Sequence, residues 1–166
     1  MRIRTAAFVV AAVALLVAAP MATAEKPFKA PILNEPLLLT GVCDFPVRGE
    51  PIGAQNQKVI VFSDGRTIIN GQLTIRVWNA NDPSKAWEGT ASGPVFLLPN
   101  ADGSLTAKGT GVNLWFFFAG DLGPGKPGAL FLVKGLSTEQ IDANGNLVQS
   151  SFTHNGYIQN LCTTLA

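Results

Sequence analysis

With 166 residues, 47% of them hydrophobic and 14% charged, the chain is long enough to bury one core and too rich in aliphatic side chains to remain disordered. Twelve Lys and Arg stand against eleven Asp and Glu, which excludes the basic surface that nucleic acid demands.

Taken in chain order, Arg2 and Arg4, the apolar run Ala6 to Ala19 and Ala22-Thr23-Ala24 before Glu25 predict a secretory signal peptide over residues 1–24. That run is shorter than the roughly 18 to 20 residues that span a bilayer, and Gly, Pro, Asn or Asp interrupts every later one. The mature chain is expected to be soluble, secreted and without a transmembrane segment, with 10 basic against 11 acidic side chains. Residues 25–35 carry Pro27 and Pro31 and are expected as an extended leader, leaving 36–166 as one domain.

Inside that domain Leu37 to Asp44 is a β run. Lys58 to Ser63 and Arg66 to Asn70 flank Asp64-Gly65 as a hairpin. Gln72 to Trp78 alternates, with Leu73, Ile75 and Val77 on one face, which predicts a half-buried strand. Asn79 to Ser84 is a turn cluster, followed by short runs at Ala86 to Ser92 and Val95 to Leu98. Asn100 to Leu105 and Asp142 to Leu147 are similar turns. Between and after them lie runs at Leu105 to Gly109, Asn113 to Phe118, Ala129 to Ile141 with a bend at Gly135, Leu147 to Thr153 and Tyr157 to Cys162. Turn signals every 8 to 12 residues or so, with all 17 glycines and no helical period in the mature chain, predict an all-β fold. An antiparallel barrel of about eight strands or more is the first expectation and a two-layer β-sandwich the second. Cys43 and Cys162 are expected to pair, joining the two ends of the domain.

Motifs that imitate known chemistry fail at specific residues. Gly120-Asp-Leu-Gly-Pro-Gly125-Lys126 has the outline of a phosphate loop, but Pro127 replaces the hydroxyl that holds magnesium, and Pro124 and Pro127 lack N–H groups. Gly123 to Gly128 matches a dinucleotide fingerprint and fails for the same reason. Asp142-x-Asn144-x-Asn146 opens like a calcium loop, yet Leu147 and Thr153 stand where glycine and glutamate are required. Two cysteines and one histidine fall short of a structural zinc site, so no metal and no cofactor is expected. His154, the only histidine, would have to serve any acid–base chemistry, and no G-x-S-x-G elbow accompanies it.

The strongest feature is apolar. Leu114 to Phe118 is hydrophobic on both strand faces, and Leu130 to Val133 repeats the pattern beyond a Gly/Pro loop that is a candidate lid or rim. Either a second layer or a subunit interface covers the extra face, or that face binds an apolar or ring-shaped ligand. Candidate binding residues are Trp115, Phe117 and Phe131, with Asp121, Arg76, Asn113 and His154 as polar groups.

The Trp115 to Phe118 strand, the Gly120 to Gly125 loop and the late Leu161-Cys162 resemble small exported proteins of high-GC Gram-positive bacteria, which implies export and a shared fold and assigns no activity. The early and late cysteines and the all-β pattern also resemble the barrels of the dirigent and allene oxide cyclase type, in which an apolar barrel guides reactive substrates. The leading functional expectation is a secreted, non-catalytic binding protein for an apolar or aromatic small molecule. The alternatives are a cell-envelope interaction or structural module, with a partner protein or a second copy, and a barrel-type cyclase or isomerase.

Overall fold

The computed structural model describes residues 26–32 and 35–166; the signal-peptide expectation lies outside them. Among the described residues twelve strands form two antiparallel sheets, followed by a single helical turn. The strands are β1 (Phe28–Pro31), β2 (Leu37–Leu39), β3 (Val47–Pro51), β4 (Lys58–Val61), β5 (Thr67–Asn70), β6 (Thr74–Asn79), β7 (Asp82–Thr90), β8 (Val95–Pro99), β9 (Leu105–Gly109), β10 (Val112–Phe117), β11 (Ala129–Ile141) and β12 (Thr153–Asn160). The turn, α1 (Leu161–Thr164), closes the chain.

The larger sheet runs β1-β4-β5-β8-β9-β11-β10, with β12 on the other edge of β11; the smaller runs β2-β3-β6-β7. Neither closes, so the barrel expectation is corrected to two open sheets. Closure would require the β1 edge to pair with β10 or β12, whereas β1 pairs only with β4 and β12 only with β11.

The sheets are joined by strands that turn a corner. Thr67 pairs with Leu97 in one sheet and Thr74 with Thr90 in the other, on one unbroken register, and between them Ala91 N donates to Leu73 O at 2.9 Å. β5–β6 and β7–β8 are thus one long hairpin folded across both layers. β9 and β10 likewise share one register against β11, from Leu105 opposite Ile141 to Phe117 opposite Ala129. The interruption at Thr110-Gly111 faces Gly135, whose φ of +136° only glycine adopts without strain.

Three hairpins use the same five-residue turn, starting at Phe62, Asn100 and Asp142. In each, glycine at the fourth position has φ near +83° and donates back to the first carbonyl. Asp64, Asp102 and Asp142 accept hydrogen bonds from residues two or four further on, which hold these carboxyls below the usual range.

Several segments differ from expectation. Part of the predicted leader is β1, paired with β4. The turn cluster at Asn79 to Ser84 shrinks to Ala80-Asn81, because β7 is an edge strand and tolerates Pro83. The predicted strand over 147–153 is instead a bulge, since only Leu147 bridges Ile141 before β12 begins at Thr153.

Alternation along β11 sends its even and odd residues into different cores. Leu130 and Leu132 join Val47, Ile75 and Val77 of the smaller sheet, with Val42, Leu161 and Leu165. Phe131, Val133 and Ile141 join Ala107, Trp115 and Phe117 on the outer face of the large sheet. The Cys43–Cys162 disulfide, with Cα atoms 5.5 Å apart, ties α1 to the chain before β3. Among the described residues no helix is long and apolar enough to cross a membrane.

Candidate functional site on the outer face of β9–β10 and β11

The odd residues of β9–β10 and β11 form one continuous face. Cross-strand rows place Ala107 beside Glu139, Gly109 beside Ser137 and His154, and Trp115 beside Phe131. The aromatic end is deep: Phe117 is 0% exposed and Trp115 8%.

Among the described residues no strand of the smaller sheet packs on this face. The cover consists of the Gly/Pro loop 118–128, contributing Leu122, and the bulge 148–152 with Leu147 and Phe152. In that bulge two residues of β11 face five of the opposite chain, and Ser150 takes a φ of 62°. The extra length turns Phe152 onto the face, where its ring lies 4.7 Å from Phe117, 5.9 Å from Trp115, 6.0 Å from Phe131 and 6.1 Å from His154. Loop and bulge hold each other: Ser150 N donates to Asp121 O at 2.9 Å and Gln149 Nε2 to Gly120 O at 2.6 Å. Asp121 Oδ2 accepts from Phe118 N at 2.7 Å and fixes the loop's first turn.

Two buried polar atoms on this face, Trp115 Nε1 and Ser137 Oγ, have no hydrogen-bond partner among the described residues. Ser137 Oγ and the six-membered ring of Trp115 both pack against Gly109. A Cβ there would stand 2.9 Å from Ser137 Oγ and 2.9 Å from Trp115 Cζ2, the ring carbon adjoining the Nε1-bearing corner. Asn113 Nδ2, 3.0 Å from the same point, is already committed to Thr110 O. Ser137 and His154 are cross-strand neighbours, yet no hydrogen bond joins them, so the nucleophile–base contact of a hydrolase is missing.

Glu139 sits two residues beyond Ser137 on the same face. Burial, and secondarily the negative charge of Asp121, push its carboxyl up to about 7. Because the folded chain binds this proton more tightly than the unfolded chain, the stability it brings is complete below about pH 4.5 and is lost as pH rises through about 7. At about 1.4 kcal/mol per pH unit the change is of the order of 3 kcal/mol. Urea unfolding at pH 5 and pH 8 is expected to show it, and Glu139→Gln is expected to remove most of the slope.

Of the residues singled out from sequence, Trp115, Phe117 and Phe131 form one cluster, Asp121 stands in the loop above it, and His154 stacks on Phe152. Arg76 is elsewhere. It lies on the outer face of the smaller sheet, over Trp78 at 5.2 Å, with Nε 3.3 Å from Glu88 Oε1 in an ion pair that lacks hydrogen-bond alignment. Phe152, Ser137 and Glu139 were not legible as site residues. Phe152 belonged to an expected strand, and the polar run Ser137 to Gln140 has no hydrophobic period to say which side faces in.

An open groove of about 490 Å³ lies beside β1, lined by Ile32, Glu35 and residues 55–58, and holds none of these residues. Among the described residues no group of three or more His, Cys, Asp or Glu is placed to hold a metal ion. No protein-family model, no curated protein and no solved structure matches the chain.

Proposed function

We propose that the protein is an exported, non-catalytic binding domain for an apolar, ring-bearing small molecule, which enters the Trp115–Phe117–Phe131 face by displacing Phe152. The observation that supports this reading is the pair of orphaned polar atoms under the cover. A buried donor without a partner costs about 1–3 kcal/mol, so a fold selected for stability alone would have filled or paired them. Ligand sites combine an apolar lining with a few placed polar groups, which is the composition of this face. Its cover is made of loops, so displacing Phe152 breaks no ladder among β10, β11 and β12. The disulfide and the N-terminal Ala22-Thr23-Ala24 pattern support export.

Titration with N-phenyl-1-naphthylamine, a neutral apolar fluorophore, tests the reading. The native chain is expected to take up one probe saturably, with energy transfer from tryptophan that falls sharply in Trp115→Phe. Absence of saturable uptake up to the probe's solubility limit would overturn it and bring the envelope-interaction alternative forward.

A further inference from the structure

We infer that β12 is the docking edge for a second copy of this chain: two copies pair their β12 strands antiparallel about a two-fold axis at Gly156 and extend the larger sheet across both. This pairing stands apart from the ligand reading, because it uses the edge of the strand and not its face.

The ladder shows which backbone groups of β12 are free. Gly135 N donates to Gly111 O, whereas Gln140 N donates to Ser151 Oγ and Gln140 O accepts from Val148 N, so odd residues of β11 bond toward β9–β10 and even residues toward β12. On the continuous register between β11 and β12, Lys134 and Leu136 therefore bond Tyr157 and Asn155, and His154, Gly156 and Ile158 turn their N–H and C=O groups outward. Among the described residues these groups have no hydrogen-bond partner. Natural sheets guard such edges with proline, charge or brevity. β1 carries Lys29 and Pro31, β2 has three residues, and β7 carries Asp82, Pro83, Lys85 and Glu88. The outer side of β10 begins with Gly93 N donating to Val112 O at 2.7 Å, which leaves Leu114 and Phe116 alone there. β12 has eight residues without proline, lysine, arginine, aspartate or glutamate, and Thr153 to Tyr157 are all exposed.

A strand already held extended loses little entropy on pairing, and identical strands paired antiparallel form a two-fold contact that closes at two copies. The axis falls at Gly156 because Asn160 is occupied in capping α1: its Oδ1 accepts from Cys162 N and its O from Thr163 Oγ1. Centred there, His154 faces Ile158, Asn155 faces Tyr157 and Thr153 faces Gln159 of the second copy. No like charges meet, the two glycines leave room at the axis, and Tyr157, 53% exposed in the single chain, is covered. Opposite residues of an antiparallel pair share a face, so both Trp115–Phe117–Phe131 clusters end on one side of the joined sheet. Roughly six ladder bonds make a small interface, so the dimer is expected to form reversibly at micromolar concentration.

Sedimentation velocity of the purified protein across the micromolar range tests the pairing, with a reversible monomer–dimer equilibrium as the expected result. Asn155→Glu with Tyr157→Glu opposes like charges twice across the axis and is expected to raise the dimer dissociation constant at least about tenfold. Asn155→Glu with Tyr157→Lys opposes unlike charges in the same two rows and is expected to hold the dimer within about threefold of the parent or to tighten it. Both positions are exposed in the single chain, so both variants are expected to unfold close to the parent's urea midpoint. If the like-charge variant folds poorly, the unlike-charge variant decides: its dimer must persist. A parent that stays monomeric throughout would overturn the proposal and leave this edge to an extended peptide of another protein. A dimer that both variants leave intact, or that both weaken alike, would overturn it too, as would growth beyond two copies.

Discussion

Replacing Phe117 by alanine is expected to lower the unfolding free energy by about 3–5 kcal/mol, the range for deleting a buried aromatic ring. The ring is fully buried and packs at 4.7 Å on Phe152 and 5.8 Å on Phe131, so its loss leaves a void under the cover as well as removing transfer energy. Strand and cover cannot both collapse into that space, because β10 is held in register against β11 through six residue pairs. The neighbouring Phe116 is 38% exposed on the opposite face, so Phe116→Ala is expected to cost less than about 1 kcal/mol. Urea denaturation of the two variants checks the assignment of faces. Equal effects, or a larger effect at Phe116, would contradict it.

The second large effect concerns the bridge. Cys43 and Cys162 are 119 residues apart, and in the chain-entropy view closing a loop of that length stabilises the fold by roughly 4–5 kcal/mol. The flanking Val42 and Leu161 are both fully buried, so the bridge also anchors core side chains at the end of the sheets. The Cys43→Ala, Cys162→Ala double variant is expected to lose most of that stability. A midpoint of urea unfolding within experimental error of the parent, or two free thiols in the unreduced protein, would contradict the expectation.

Local chemistry made much of the fold readable. Asp64-Gly65, Asp102-Gly103 and the Asp142 to Asn146 segment are turn signals because aspartate accepts from the backbone just ahead and glycine takes positive φ, and all three hairpins formed there. The alternation of Ile75 and Val77 with Thr74 and Arg76 gave the buried face of β6 directly. Whether the strands close into a barrel depends on which edges meet, a non-local pairing that no short window contains. Nor could the sequence reveal that β9 and β10 are one strand with a break, since Thr110-Gly111 looks like any turn until Gly135 is opposite it.

The candidate site was legible in its apolar half alone. A run such as Leu114 to Phe118 announces two buried faces, but it does not say that a bulge and a Gly/Pro loop cover the second. Ser137 and Glu139 look like ordinary surface residues of a strand. Only the register with Gly109 and Ala107 brings them beneath the cover. Phe152 lies in the cover because five residues oppose two, a local insertion that its hydrophobicity does not encode.

Amide hydrogen exchange with and without N-phenyl-1-naphthylamine tests most directly the claim that the cover opens to admit a ligand. Loops with few ladder bonds open at lower free energy than the strands they cover. The account predicts that residues 118–128 and 147–152 exchange much faster than β10 and β11 in the free protein, and that bound probe slows exchange in those two segments and leaves β2 to β7 unchanged. Exchange from the cover as slow as from the strands, or probe protection located on the smaller sheet, would contradict it.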